Sequence, residues 1–269
     1  MTKKQILLTN DDGIRSPGLW AAAETLSSLG YVTVAAPREQ ASGMGRAMPV
    51  TSEGTITRET LHINGDEWEV YAVGGSPAQA VQHGVLRILD QKPDLIVSGI
   101  NYGANLSLGV SVSGTVGAAM EGAALGIPSL AISLETDKED HLSYSHHIDF
   151  SGAAYFAALF AGKLLNKEFP PNACLLKVDV PREATPQTPW QTVRLSPTPY
   201  YRPIAEPEHN TNWDQPYIVD YEVRENWDKE PTDTDVYVMH KKREVAVTPL
   251  SLDFTARVNM KDFDDHLRS

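Results

Sequence analysis

The run Ile6-Leu7-Leu8-Thr9-Asn10-Asp11-Asp12-Gly13 constrains the fold of this chain more than any other stretch. Three aliphatic residues followed almost at once by two carboxylates read as a strand buried on both faces, as in a parallel sheet. Strand side chains alternate between faces, so regular β geometry cannot aim Asp11 and Asp12 at one point. For both to serve one site the backbone must leave the strand there, and Gly13 permits that turn. Ligands of open α/β sheets sit beyond the carboxyl ends of strands. Two adjacent acids buried at such a place are costly unless they meet a cation. The plainer alternative, with Asp11 capping the next helix and Asp12 solvated, stays open on this stretch alone.

The rest of the chain continues the α/β alternation. Ser16-Pro17-Gly18 starts a helix whose inner face is Leu19, Ala22, Ala23 and Leu26, and Gly30 ends it. Tyr31 to Pro37 is a second strand, completing a βαβ unit. The loop Glu39 to Arg46 follows, with Ser42 and Gly43 free either to face a ligand or to serve as a plain connector. Residues 48 to 73 read as antiparallel strands around an Asn64-Gly65-Asp66 turn. Ser76 and Pro77 then cap a helix that runs to about Leu89. Leu95 to Ser98 is another buried strand, opening onto Gly99-Ile100-Asn101-Tyr102-Gly103-Ala104-Asn105.

Ser113-Gly114-Thr115 begins a small-residue helix, a place where free N–H groups attract anions. Leu130 to Leu134 is a strand, Ser151 to Leu165 a helix ended by Pro170-Pro171, and Leu175 to Val180 a further strand. His141, His146 and His147 fit no zinc spacing and read as part of a solvated loop. Eight prolines between Pro181 and Pro216 then exclude long helices. Residues 217–223, 235–239 and 244–250 read as strands. The expected plan is a Rossmann-like catalytic domain over 1–180 and a β-rich, proline-broken extension over 181–269.

Composition narrows the function. A net charge of −12 argues against a long nucleic-acid partner, although a small phosphorylated ligand stays possible where a metal reverses the local sign. One cysteine, Cys174, excludes an internal disulfide and fits a reducing compartment. No signal peptide or membrane-length apolar run is visible, so a soluble cytoplasmic protein is expected.

Asp11, Asp12, Ser42 and Asn101 all sit at strand exits of the expected sheet and offer only oxygen and amide groups. Such a set suits a hard divalent cation, Mg²⁺ or Mn²⁺. Beside it lies the Ser113-Gly114-Thr115 helix start, ready for phosphate. A metal next to an anion cradle is the equipment of phosphate-ester hydrolysis.

Asn10-Asp11-Asp12-Gly13, Ser42-Gly43, Ser98 to Asn105 and Ser113-Gly114-Thr115-Val116 stand in the order found in the stationary-phase survival protein SurE family. The chain resembles that family over essentially its whole length. The resemblance implies a three-layer α/β/α sandwich, a metal-dependent 5′/3′-nucleotidase activity on nucleoside monophosphates, and dimers or tetramers that exchange C-terminal elements. By the same resemblance Asp11, Asp12, Ser42 and Asn101 are metal ligands, Asp11 and Asp12 are catalytic, and Gly43, Asn105, Ser113, Gly114 and Thr115 line the phosphate site. Two stretches depart from the family pattern: Gly75-Ser76-Pro77-Ala78-Gln79-Ala80-Val81, and Leu106 to Val112. The rival readings are a non-catalytic nucleotide sensor and a dinucleotide oxidoreductase. The latter lacks its Gly-x-Gly-x-x-Gly fingerprint after the first strand.

Overall fold

A computed structural model describes residues 3–141, 144–145, 147–170, 172–204, 214 and 219–269. The N-terminal half alternates β1 (Lys4–Thr9), α1 (Pro17–Leu26), β2 (Gly30–Pro37), β3 (Ile56–Ile63), β4 (Asp66–Val73), α2 (Pro77–His83) and β5 (Leu95–Tyr102). Next come α3 (Gly114–Ala124), β6 (Ser129–Leu134), α4 (Ser151–Asn166), β7 (Leu175–Val180) and β8 (Trp190–Thr192). The remainder is β9 (Tyr201–Ile204), β10 (Asp220–Val223), α5 (Asp235–Tyr237), β11 (Val245–Leu250) and α6 (Met260–Arg268).

Among the described residues nine strands form one sheet in the order β3-β4-β2-β1-β5-β6-β7-β11-β8. From β4 to β7 every pairing is parallel, while β3 and β11 run antiparallel to their neighbours β4 and β7. Alternation along β1 explains the layers. Ile6 and Leu8 face the cluster built from α1 and α4, including Leu19, Leu26, Phe156 and Phe160. Leu7 faces the opposite way, onto Val81 of α2 and Ala118 of α3. A strand apolar on both faces therefore requires helices on both sides, which makes a three-layer α/β/α sandwich. The Rossmann-like fold expected from the sequence is the fold observed.

Local chemistry sets the helix boundaries. The Ser76 hydroxyl accepts from the Gln79 N–H at 3.1 Å, and the Gln79 side chain accepts from the Ser76 N–H at 3.0 Å. This capping box with Pro77 behind it starts α2 where the sequence placed it. The helix then widens into a π-turn over Gly84–Ile88.

Two expectations change. Residues 235–239 are not a strand. The Thr234 hydroxyl accepts from the Tyr237 N–H at 3.4 Å and starts a helical turn that continues to Lys242. Alternation in Asp-Val-Tyr-Val-Met suggested a half-exposed strand, but Val236, Val238 and Met239 are all buried. Residues 48–55 are irregular, and the antiparallel pair is β3 with β4 alone. Pro171, His146, Pro207, Pro216, Tyr217 and Ile218 lie outside the described residues. Beyond residue 180 the chain contributes β8 and β11 to the main sheet and β9–β10 as a separate antiparallel pair.

Candidate active site

The chain order switches direction between β1 and β5: β1 leads through α1 to β2 on one side, while β5, β6 and β7 extend on the other. At such a point the carboxyl ends of the two strands part and leave a crevice. Asp11 and Asp12 follow β1 directly, and Asn101 lies at the end of β5.

Asn10 holds the turn after β1. Its Nδ2 donates to the Gly13 carbonyl at 3.0 Å, and its Oδ1 accepts from the Gly13 N–H at 3.2 Å. Gly13 adopts φ +100°, a conformation that side chains resist. The turn takes both acids into the interior, with Asp11 3% and Asp12 1% exposed. The solvated alternative for Asp12 is excluded.

Asp11 is aimed at the start of α3. It accepts from the Thr115 hydroxyl, and the backbone amides of Gly114 and Thr115 at the helix start favour its charged form. A Cβ at position 114 would lie 2.7 Å from Asp11 Cβ and 2.8 Å from its Oδ2, so only glycine lets the carboxylate seat there. Burial nevertheless pushes the Asp11 carboxyl up to about 6, against the opposing pull of these donors. Asp12 accepts weakly from the Tyr102 N–H at 3.3 Å and from Gln40 Nε2 at 3.4 Å. Burial first, then the charge of Asp11, drives it well above the usual carboxylate range.

A cavity of about 600 Å³ opens over this floor. Asp11, Ser42, Gly43, Asn101, Asn105 and Ser113 line its polar end. Tyr201, Pro203, Val219 and Tyr221 from β9, β10 and their flank also line it, with His141 beside Tyr221. Asn101 donates through Nδ2 to the Tyr102 and Gly103 carbonyls at 3.2 and 2.7 Å, which fixes the orientation of its amide. Asn105 Nδ2 donates to Ser133 Oγ at 2.8 Å. Ser113 Oγ caps α3 by accepting from the Val116 N–H at 3.1 Å.

The sequence-derived site residues thus divide. Asp11, Ser42, Gly43, Asn101, Asn105 and Ser113 share one cavity. Asp12 lies beneath it, and the Gly114 and Thr115 donors face Asp11 rather than open space. Thr115 is wholly buried and acts through Asp11. His141 is not the solvated residue expected: its ring packs on Gly103, and its Nδ1 lies 3.1 Å from the Tyr221 hydroxyl.

Sequence reasoning overlooked Gln40. Its amide reaches Asp12, Ser42 Oγ at 3.1 Å and the His141 carbonyl at 2.8 Å, tying three parts of the site together. Nothing in a lone glutamine within a loop signals that.

An open α/β sheet with an acid pair at its switch point, facing an oxygen- and amide-lined cavity, defines a Rossmann-like protein of strand-end small-ligand chemistry. Comparison with known proteins makes this specific. The family described as "Survival protein SurE" matches residues 6–201. "5'-nucleotidase SurE" of Thermococcus kodakarensis is 41% identical over 258 residues, covering 96% of both chains. The protein of the same description from Methanosarcina barkeri is 35% identical over 268 residues, covering 98% of this chain and 97% of its own. The crystal structure of the SurE protein from Aquifex aeolicus superposes with a TM-score of 0.73 at 32% identity, over 98% of this chain and all of that one. The chain belongs to the SurE family.

Proposed function

We propose that this protein is a divalent-metal-dependent nucleotidase that hydrolyses nucleoside 5′-monophosphates, and also 3′-monophosphates, to nucleoside and phosphate. The observation that carries the reading is the single cavity joining Asp11, Ser42, Asn101, Asn105 and Ser113 in a chain 41% identical to a named 5′-nucleotidase.

The donor set fits a cation. Among the described residues no ammonium or guanidinium is hydrogen-bonded to Asp11 or Asp12, and both carboxylates are raised by burial. Neutral donors offset only part of two buried charges, and a dication offsets the rest. Asp11, Asp12, Ser42 and Asn101 would hold Mg²⁺ or Mn²⁺, which supplies Lewis acidity to a phosphoryl oxygen and acidifies water. Among the described residues no three His, Cys, Asp or Glu side chains converge, so a nitrogen- or sulfur-rich zinc centre has no constituents there.

The chain's own residues supply orientation. Thr115 and the α3 amides fix the Asp11 carboxylate, and the positive end of the α3 dipole favours its ionised form. Gln40 holds Ser42 in register with Asp12. Asn105, Ser113 and the Gly43 backbone line the space for a phosphoryl group; Asn105 holds it alike in the ground and transition states, and the Gly43 backbone offers a fixed dipole where charge grows during hydrolysis. Asp11 is already engaged by the Thr115 hydroxyl and faces the α3 start, which disfavours it as a free nucleophile and favours attack by water. The tyrosine-rich wall of β9 and β10 faces the nucleoside end.

The test is phosphate release from paired 5′- and 3′-monophosphates of each base, with chelator and with Mg²⁺ or Mn²⁺ restored. Chelation is expected to silence both. Metal-independent hydrolysis would remove the cation from the account.

We assign the cytoplasm as the compartment, on the unpaired Cys174; no helix among the described residues is long and apolar enough to cross a membrane. We assign a homodimer or tetramer that exchanges C-terminal elements. The support lies in α6, which buries no residue and presents Met260, Phe263 and Leu267 to solvent on one face. A truncation after Asn212 would delete β11 from the main sheet, whereas one after Leu252 spares every strand. Light scattering on the Leu252 truncation should show loss of the oligomer; an unchanged mass would place the interface elsewhere.

A further inference from the structure

Among the described residues, the most buried charged side chains lie outside the acid pair. Lys177 on β7 is completely buried, and so are Asp179 and Asp235. Lys177 Nζ donates to Asp179 Oδ2, to Asp235 Oδ2 at 3.1 Å and to the Asn105 carbonyl at 3.0 Å. These three acceptors use all three donors of the ammonium. The carboxylates then reach back to the same loop. Asp179 Oδ1 accepts from the Asn105 N–H at 2.7 Å, and Asp235 Oδ2 accepts from the Ser107 N–H at 2.9 Å. Asp235 Oδ1 also accepts from the Ser196 N–H at 2.9 Å.

One ion cluster therefore holds the N–H and the C=O of Asn105 and the N–H of Ser107, whose φ is +57°. On either side of Asn105, Ala104 and Leu106 pack into an apolar cluster with Val193, Val236 and Met239. Ion cluster and apolar cluster grip alternate residues of one short segment. The Asn105 side chain lines the cavity and is held in turn by its Nδ2 donation to Ser133 Oγ at 2.8 Å.

We propose that Lys177 is a positioning residue of the phosphate subsite: its clamp with Asp179 and Asp235 sets the Asn105 peptide and so the Asn105 side chain. This makes the segment around Asp235 part of the site's support, although its sequence lies far beyond the strands that carry the acids. The inference rests on the phosphate role given to Asn105 above.

The test uses the full-length chain with Lys177→Met, Asn105→Ala and the pair combined, each confirmed folded by circular dichroism. Lys177→Met should raise KM for a nucleoside 5′-monophosphate at least tenfold while changing kcat less than threefold. Asn105→Ala should do the same, and the double variant should be no worse than Asn105→Ala alone, because both changes act on one contact. A general loss of stability would instead lower kcat, or multiply with the Asn105 change. Wild-type KM in either single variant, or multiplying effects, overturns the proposal.

Hydrogen exchange supplies an arm independent of turnover. Amides of residues 105–107 should exchange at least a hundredfold faster in Lys177→Met while β1 and β5 stay protected; unchanged exchange there also overturns the clamp. Should Lys177→Met fail to fold, Asp235→Asn, which keeps the ammonium paired with Asp179, is read in both arms with the same expected directions. An inactive wild-type chain with 105–107 loosened by Lys177→Met would mark failure of the nucleotidase reading and not of the clamp.

Discussion

Asp11→Asn should lower kcat/KM for nucleoside monophosphates by about three decades, equivalent to about 4 kcal/mol of lost transition-state stabilisation. The substitution keeps the shape of the side chain and removes the charge that would meet a bound cation. It should not unfold the protein. Asp11 is raised to about 6 mainly by burial, so in the metal-free protein its ionised form opposes folding. The folded state binds the proton more tightly than the unfolded chain, whose pKa lies near the ordinary 3.8. Metal-free wild type should therefore lose stability as pH rises from about 4 through about 6, by on the order of 3 kcal/mol, with Asp12 contributing in the same direction. Asp11→Asn should remove the Asp11 share of that slope, leaving the part due to Asp12, and melt no lower than wild type at pH 7. Thermal melts in chelator across this range check the sign. A variant with near-normal activity, or one that melts far below wild type, would contradict the assignment of this carboxylate.

Gly117→Ala gives the second large effect. Helix propensity alone would have this change in the middle of α3 stabilise the protein by about 1 kcal/mol. Packing gives the opposite sign. A Cβ at 117 would collide with the Gly45 carbonyl and lie 2.6 Å from the Arg46 N–H, and both neighbours are backbone. The Ser42–Arg46 loop would have to lift off α3, breaking the 2.9 Å bond from the Gly45 N–H to the Val112 carbonyl. Overpacking of this kind costs about 1–3 kcal/mol. Since the loop carries Ser42 and Gly43 into the cavity, turnover should fall about a hundredfold as well. A more stable and fully active Gly117→Ala protein would show that loop and helix are not tightly joined.

Much of this was legible from residues 6 to 13 alone. An apolar strand without alternation requires cover on both faces, and the observed sheet has it. Caps such as Ser76 with Pro77 were legible because their chemistry is local. Ser42, Asn101 and Asn105 were legible as residues at or just beyond strand exits and Ser113 as a helix start, and the switch point brings them together with Asp11. Contacts between distant segments left less trace. Nothing near Thr115 says that its hydroxyl faces Asp11 rather than a ligand. The turn at 235–237 looked like a strand because valines alternate there, and only the Thr234 cap and burial of both faces decide otherwise. One signal was visible and went unread. Lys177 and Asp179 stand two apart in Leu-Leu-Lys-Val-Asp-Val, so a buried strand was bound to put both charges on one face. Such a pair inside a core calls for a third partner, which Asp235 supplies from far along the chain.

The central claim is that this cavity turns a nucleotide over rather than merely holding it. Steady-state phosphate release from a nucleoside 5′-monophosphate, measured beside calorimetric binding of the same compound, tests it most directly. The account predicts multiple turnovers with Mg²⁺ or Mn²⁺, none in chelator, and none in Asp11→Asn. Saturable binding with no phosphate released under any metal would contradict it and identify the protein as a nucleotide sensor.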